Sequence, residues 1–135
     1  MSQNGNFWIT IKLPFPPSTN QYYRSIRMGQ GVRTLVSRRG REYRDAVVGE
    51  CCVAHLTNTL LGGRLAVKVT LCPPDRRKRD LDNYNKALLD ALTHAGIWGD
   101  DSQIDDLRVV RGAVVKGGYV LVEVRELDVQ GSIVN

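Results

Sequence analysis

Residues 65–96 read LAVKVTLCPPDRRKRDLDNYNKALLDALTHAG, and three structural signals follow one another along them. Leu65 to Leu71 alternates apolar with polar or small side chains, the period-two pattern of a strand with one buried face. Pro73 and Pro74 end that strand, because proline has no N–H to give to a sheet ladder. Beyond them Leu81, Tyr84, Leu88, Ala91, Leu92 and Ala95 recur at helical spacing, with Asp80 placed to cap the helix and Gly96 to stop it. The loop between strand and helix carries four consecutive cations, Arg76, Arg77, Lys78 and Arg79, which run straight into the carboxylates of Asp80 and Asp82.

Working outward from this unit gives the rest of the fold. Phe7 to Leu13 is rich in β-branched and aromatic residues and stops at Pro14, so it reads as a strand. Pro16 and Pro17 prolong an extended segment into Ser18 to Arg24. Residues 24 to 35 hold Arg24, Arg27 and Arg33 with Gly29 and Gly31 and show no periodicity, which reads as a basic loop. Ser37 is placed to cap a helix running to about residue 57, with Tyr43, Ala46, Val47, Cys51 and Ala54 on one side. Gly62 and Gly63 punctuate the chain. Two alternating runs, Leu107 to Val115 and Tyr119 to Glu126, flank Lys116-Gly117-Gly118, a hairpin signal. A short polar tail begins at about residue 127. The expected fold is α+β: one domain over residues 1–135, with a mixed four-stranded sheet and two helices in β-α-β-α-β-β order.

The composition suits a folded domain with an acidic partner. The chain has 135 residues, 42% hydrophobic and 24% charged, enough to bury one core. Its net charge of +5 favours a polyanion such as nucleic acid. No apolar run approaches the length of a membrane span and no secretory signal is visible, so a cytoplasmic protein is expected. Cys51, Cys52 and Cys72 make an odd set without C-x-x-C spacing, which reads as free thiols in a reducing compartment. His55 and His94 lack zinc-ligand spacing.

The chemistry concentrates around Asp80. A helix starting just after it places Asp82, Lys86 and Asp90 at intervals of four on one face. Asp100 and Asp101 follow the same helix's far end, where a short loop can fold back beside the sheet. Carboxylates converging from these two segments would suit Mg²⁺, which takes a few hard oxygen ligands and keeps waters for a substrate. Ordinary roles compete with this one, since aspartates also cap helices and make turns. A calcium EF-hand loop starting at Asp80 fails, because Asn85 stands where glycine is required and Ala91 where a bidentate glutamate is required. Four adjacent cations repel one another, and a phosphate backbone lying between them and a metal ion relieves that repulsion. Arg24 to Arg44 form a second basic block able to follow a duplex arm. Phe15, Tyr22 and Tyr23 are available either to stack on bases or to close the core.

Three blocks of this chain, PFPPSTNQYYR at 14–24, DRRKRDLDN at 75–83 and DALTHAGIWGDDSQ at 90–103, resemble the RusA family of Holliday junction resolvases, in matching order and with similar spacing over residues 8 to 126. The resemblance implies a homodimeric, Mg²⁺-dependent endonuclease, with Mn²⁺ able to substitute, of bacterial or phage origin. Such an enzyme resolves four-way DNA junctions by paired, symmetrical nicks in recombination and repair. It implies Asp80, Asp82 and Asp101 as the essential acidic residues and metal ligands, Lys86 as the functional lysine, and Arg76, Arg77, Lys78 and Arg79 as DNA contacts. Asp101 is preferred over Asp100 on the resemblance alone. Gly99 replaces a larger residue of the family's pattern, which bears on how far Asp101 reaches.

Overall fold

Val67, Val69 and Leu71 point to one side of their strand and are almost wholly buried, as the alternation requires. They belong to β4 (Leu65–Cys72), one of the two inner strands of the sheet in the computed structural model. Residues 9–127 are described; Phe7, Trp8 and the tail from residue 128 lie outside them. In chain order the elements are β1 (Ile9–Leu13), α1 (Thr19–Tyr22), β2 (Tyr23–Met28), β3 (Gly31–Val36), α2 (Arg38–Val53), β4, α3 (Asn85–Ala95), β5 (Ile104–Arg111) and β6 (Tyr119–Glu126). Two 3₁₀ turns, Leu81–Asn83 and Asp101–Gln103, bracket α3.

The four-stranded sheet runs in the order β1-β6-β4-β5. It is mixed: β5 lies parallel to β4, and the other pairs are antiparallel. Ala87, Leu88, Ala91, Leu92 and Ala95 of α3 and Tyr43, Val47 and Cys51 of α2 share one core with the inward residues of β1, β4 and β6. Trp98 seals the end of this core, fully buried, with its indole N–H donated to Thr93 Oγ1 at 2.6 Å. The α+β class, the single domain and the mixed four-stranded sheet agree with the sequence reading.

Three local expectations are corrected. Residues 24–35 are no loop: β2 and β3 form an antiparallel hairpin, a second two-stranded sheet with Met28 paired to Gly31. Lys116-Gly117-Gly118 does not close a hairpin, because β5 and β6 flank β4 on opposite sides and never pair. Gly117 and Gly118 instead take positive φ, 85° and 67°, to turn the chain back across the sheet end. Finally, α3 starts at Asn85 rather than just after Asp80, with a 3₁₀ turn filling the interval. Its stop at Gly96 is as expected, with φ 81° in the left-handed region.

Candidate active site and nucleic-acid face

The loop leaving β4 is organised by its own aspartate. Asp75 accepts from the Arg77 backbone N–H at 2.9 Å and from Arg79 Nη1 at 2.7 Å. The Arg79 guanidinium, then the Arg77 N–H, hold the Asp75 carboxyl down at about 2. Arg79 therefore curls back along the loop, 13% exposed, with its guanidinium 5.7 Å from the Phe15 ring centre. Arg111 at the end of β5 donates to the Arg79 carbonyl at 2.9 Å and ties the loop to the sheet. Arg76, Arg77 and Lys78 are left facing solvent. Arg77 and Lys78, with Arg39, Phe15, Asn83 and Tyr84, border an open cleft of about 430 Å³.

Asp80 occupies the cap position of the following 3₁₀ turn, yet its carboxylate makes no capping hydrogen bond. Asp82, one residue into that turn, is likewise exposed and free of side-chain partners among the described residues. Beyond α3 the two adjacent aspartates behave differently. Asp100 accepts from the Ser102 N–H at 3.0 Å and forms a reciprocal capping box with Gln103. Its carboxyl is lowered by the Ser102 contacts. Asp101 is exposed and joins no side-chain hydrogen bond or ion pair among the described residues. Gln103 holds the turn in place: its Oε1 accepts from the Gly99 and Asp100 N–H groups at 2.9 and 3.0 Å, and its Nε2 donates to the Leu61 and Gly63 carbonyls, each at 2.9 Å. The flexibility of Gly99 is thus restrained by a neighbour.

Lys86 lies on the first turn of α3 with its Nζ 5.4 Å from the Tyr23 ring centre. Tyr23 packs edge-on against Tyr22, centroids 4.7 Å apart. Tyr22 is fully buried, which removes it from any base-stacking role. Its hydroxyl donates to the Asp90 carboxylate and accepts from Arg44 Nε at 2.9 Å. Arg44 Nη2 completes the triangle with Asp90 at 2.7 Å. Asp90, on the same side as Lys86, is thus occupied by an ion pair. Burial raises the Tyr23 phenol, as do the Asp90 and Asp101 charges, against an opposing effect of Arg44. Tyr23 therefore lies within electrostatic reach of Asp101 and within cation–π reach of Lys86.

Sequence reasoning missed Tyr23, Arg44 and Gln103 as supporting residues. Asp100-x-x-Gln103 and Ser18-x-x-Gln21 are both capping-box signatures, so Gln103 and the short α1 were readable. The Arg44–Asp90–Tyr22 triangle joins three distant segments and left no local signal. Hard oxygen donors without competing partners suit a small divalent cation, and Asp80, Asp82 and Asp101 are such donors. Among the described residues, however, no three His, Cys, Asp or Glu side chains stand close enough together to hold one ion. No helix among them is long and apolar enough to cross a membrane.

Residues 14–125 match the family model described as Endodeoxyribonuclease RusA. The chain is 46% identical over 122 residues to the crossover junction endodeoxyribonuclease RusA of Escherichia coli strain K12, covering 87% of this chain and 94% of that protein. It is 43% identical over 117 residues to the crossover junction endodeoxyribonuclease of Enterobacteria phage 82, covering 87% and 93%. The corresponding protein of Enterobacteria phage HK97 is 42% identical, with 86% and 92% covered. A match of this extent, on a chain whose unengaged aspartates and outward cations sit in the matched segment, shows that the chain belongs to the RusA endodeoxyribonuclease family.

Proposed function

We propose that this protein is a Mg²⁺-dependent endodeoxyribonuclease that resolves four-way Holliday junctions by paired, symmetrical nicks, in recombination and repair. One observation carries the reading: Asp80 and Asp82, with no side-chain partners among the described residues, directly follow a loop that turns three cations to solvent, in a chain whose relatives are named crossover junction endodeoxyribonucleases. Asp80, Asp82 and Asp101 would hold the metal, drawn closer together than they stand in this structure. Bound there, Mg²⁺ (or Mn²⁺) supplies Lewis-acid polarisation of a phosphoryl oxygen and a lowered pKa for a water nucleophile. Lys86 offsets the negative charge that builds on the phosphoryl oxygens. Arg76, Arg77 and Lys78 hold the backbone in register without reading sequence, and Arg79 sets the loop's shape from within.

Cutting two strands related by a two-fold axis calls for two sites with that symmetry, so the working unit is a homodimer. A sedimentation mass near twice that of the chain is expected; a strictly monomeric species at assay concentration argues against it. A second reading, a protein that binds branched DNA without cutting it, draws on the finding that no three His, Cys, Asp or Glu side chains among the described residues stand close enough together to hold one ion. Incubating the protein and Mg²⁺ with a mobile four-way junction, a linear duplex and a Y-shaped DNA separates the cases. The proposal expects paired nicks in the junction and little cutting of the others. Binding without nicking supports the second reading, and equal cutting of all three DNAs removes junction selectivity.

A further inference from the structure

Beside Lys86 lies an open pocket of about 560 Å³, walled by Thr19, Asn20, Tyr23, Arg24, Ser25 and Thr34. It is distinct from the cleft under the basic loop and draws its walls from α1 and the β2–β3 hairpin. Among the described residues its lining holds two cations, Arg24 and Lys86, together with hydroxyl and amide groups, and no carboxylate. Neither cation joins an ion pair among the described residues. Two like charges sharing one concavity are unfavourable unless an anion sits between them. The Ser25 and Thr34 hydroxyls add neutral hydrogen-bond donors suited to phosphate oxygens.

The walls are also fixed in place. Ser25 pairs with Thr34 across the hairpin and Arg24 with Leu35, so the polar lining rests on a sheet ladder rather than a loose segment. Thr19 Oγ1 donates to the Asn83 carbonyl at 3.1 Å, which ties this wall to the turn bearing Asp82. Tyr23 supplies the ring face beside Lys86 Nζ, and that ring is braced by Tyr22, itself held by Asp90 and Arg44. The pocket therefore adjoins the candidate catalytic residues on a rigid support.

We propose that this pocket is a subsite for a backbone phosphate of the cleaved DNA strand, neighbouring the scissile one. Arg24 is its cationic ligand, Lys86 at the pocket's edge faces the scissile phosphate beside it, and Tyr23 is the residue that positions Lys86. The inference rests on the junction-cleaving reading above and adds three things to it: Arg24, Tyr23 and the hairpin wall.

The test measures metal-free binding of the full chain to junctions that each carry one neutral methylphosphonate at a phosphate flanking the cut. Wild type should lose about tenfold in affinity at one position, the loss expected for one charge-assisted contact. Arg24→Gln should lose a similar factor on the unmodified junction and show no further loss at that same position. Full additivity of the two losses at every position overturns the subsite, as does a wild type insensitive to every flanking methylphosphonate. Failure of wild type to bind any junction overturns the junction reading together with it. For Tyr23, the Phe variant keeps the ring and should reproduce the wild-type pattern, whereas Tyr23→Leu should reproduce the pattern of Lys86→Gln. A Leu variant indistinguishable from wild type, or a Phe variant matching Leu, overturns the positioning role.

Discussion

The carboxylate of Asp100 caps the very turn that begins with Asp101, accepting the Ser102 N–H at 3.0 Å, while the Asp101 carboxylate stays exposed. Two neighbouring aspartates thus divide their work, one holding the backbone and the other left available as a ligand. Asp101→Asn should reduce Mg²⁺-dependent junction cleavage by about a hundredfold or more, with stability within about 0.5 kcal/mol of wild type. Asp100→Ala should do the reverse, costing about 1 kcal/mol as a lost cap and retaining most activity. Thermal unfolding and single-turnover cleavage of both variants check this. The opposite assignment would move the ligand role to Asp100.

That distinction shows where the sequence was readable. The strand over Leu65 to Leu71 and the helix ending at Gly96 follow from local periodicity and a glycine stop, and both stand in the structure. The hairpin of β2 and β3 was unreadable because Gly29 and Gly31 imitate a loop, and its exposed strands lack the apolar alternation that marks a half-buried one. The Lys116-Gly117-Gly118 turn misled for a different reason: a tight turn says that the chain reverses, not which strand it then pairs with. Asp80 and Asp82 stood out through their neighbours in sequence. Tyr23 and Arg44 act through contacts with residues far along the chain, so only the fold brings them to Lys86 and Asp90.

The basic loop should respond to acid through Asp75. Its carboxyl, held at about 2 by Arg79 and the Arg77 N–H, titrates well below the range of an unfolded chain, near 4. The folded form is therefore favoured above pH 4, and that advantage disappears as pH falls toward 2. Carbon-detected NMR should place the Asp75 titration near pH 2. The stability difference between wild type and Asp75→Asn should shrink over the same window. A midpoint near 4 would mean that the Arg79 contact does not persist in solution.

Gly40 sits in α2, where alanine is ordinarily favoured by about 1 kcal/mol. Here a Cβ would stand 2.4 Å from the Tyr22 carbonyl oxygen, a backbone atom that cannot swing away. The clash outweighs the helix gain, so Gly40→Ala should destabilise the fold by at least about 1 kcal/mol. Because Tyr22 braces Tyr23, the same change should also weaken junction cleavage. Denaturant unfolding checks the sign; a stabilised variant would refute the close α1–α2 approach.

Arg76 and Arg77 face solvent at the loop's outer edge. If each contacts one phosphate, changing either to Gln should flatten the salt dependence of junction binding by about 0.9 in log–log slope. Fluorescence titration at several salt concentrations gives this directly. An unchanged slope would make these side chains a solvated charge run without phosphate contacts.

The most direct measurement concerns Asp82, exposed on the 3₁₀ turn between the basic loop and α3 and free of side-chain partners among the described residues. Wild type and Asp82→Asn are compared on a mobile four-way junction, with and without Mg²⁺, for both binding and nicking. The expected result is Mg²⁺-dependent paired nicking by wild type, and junction binding without nicking by Asp82→Asn. Nicking by the variant at the wild-type rate, or a wild type that binds the junction and never cuts it with Mg²⁺ or Mn²⁺, would contradict the catalytic site.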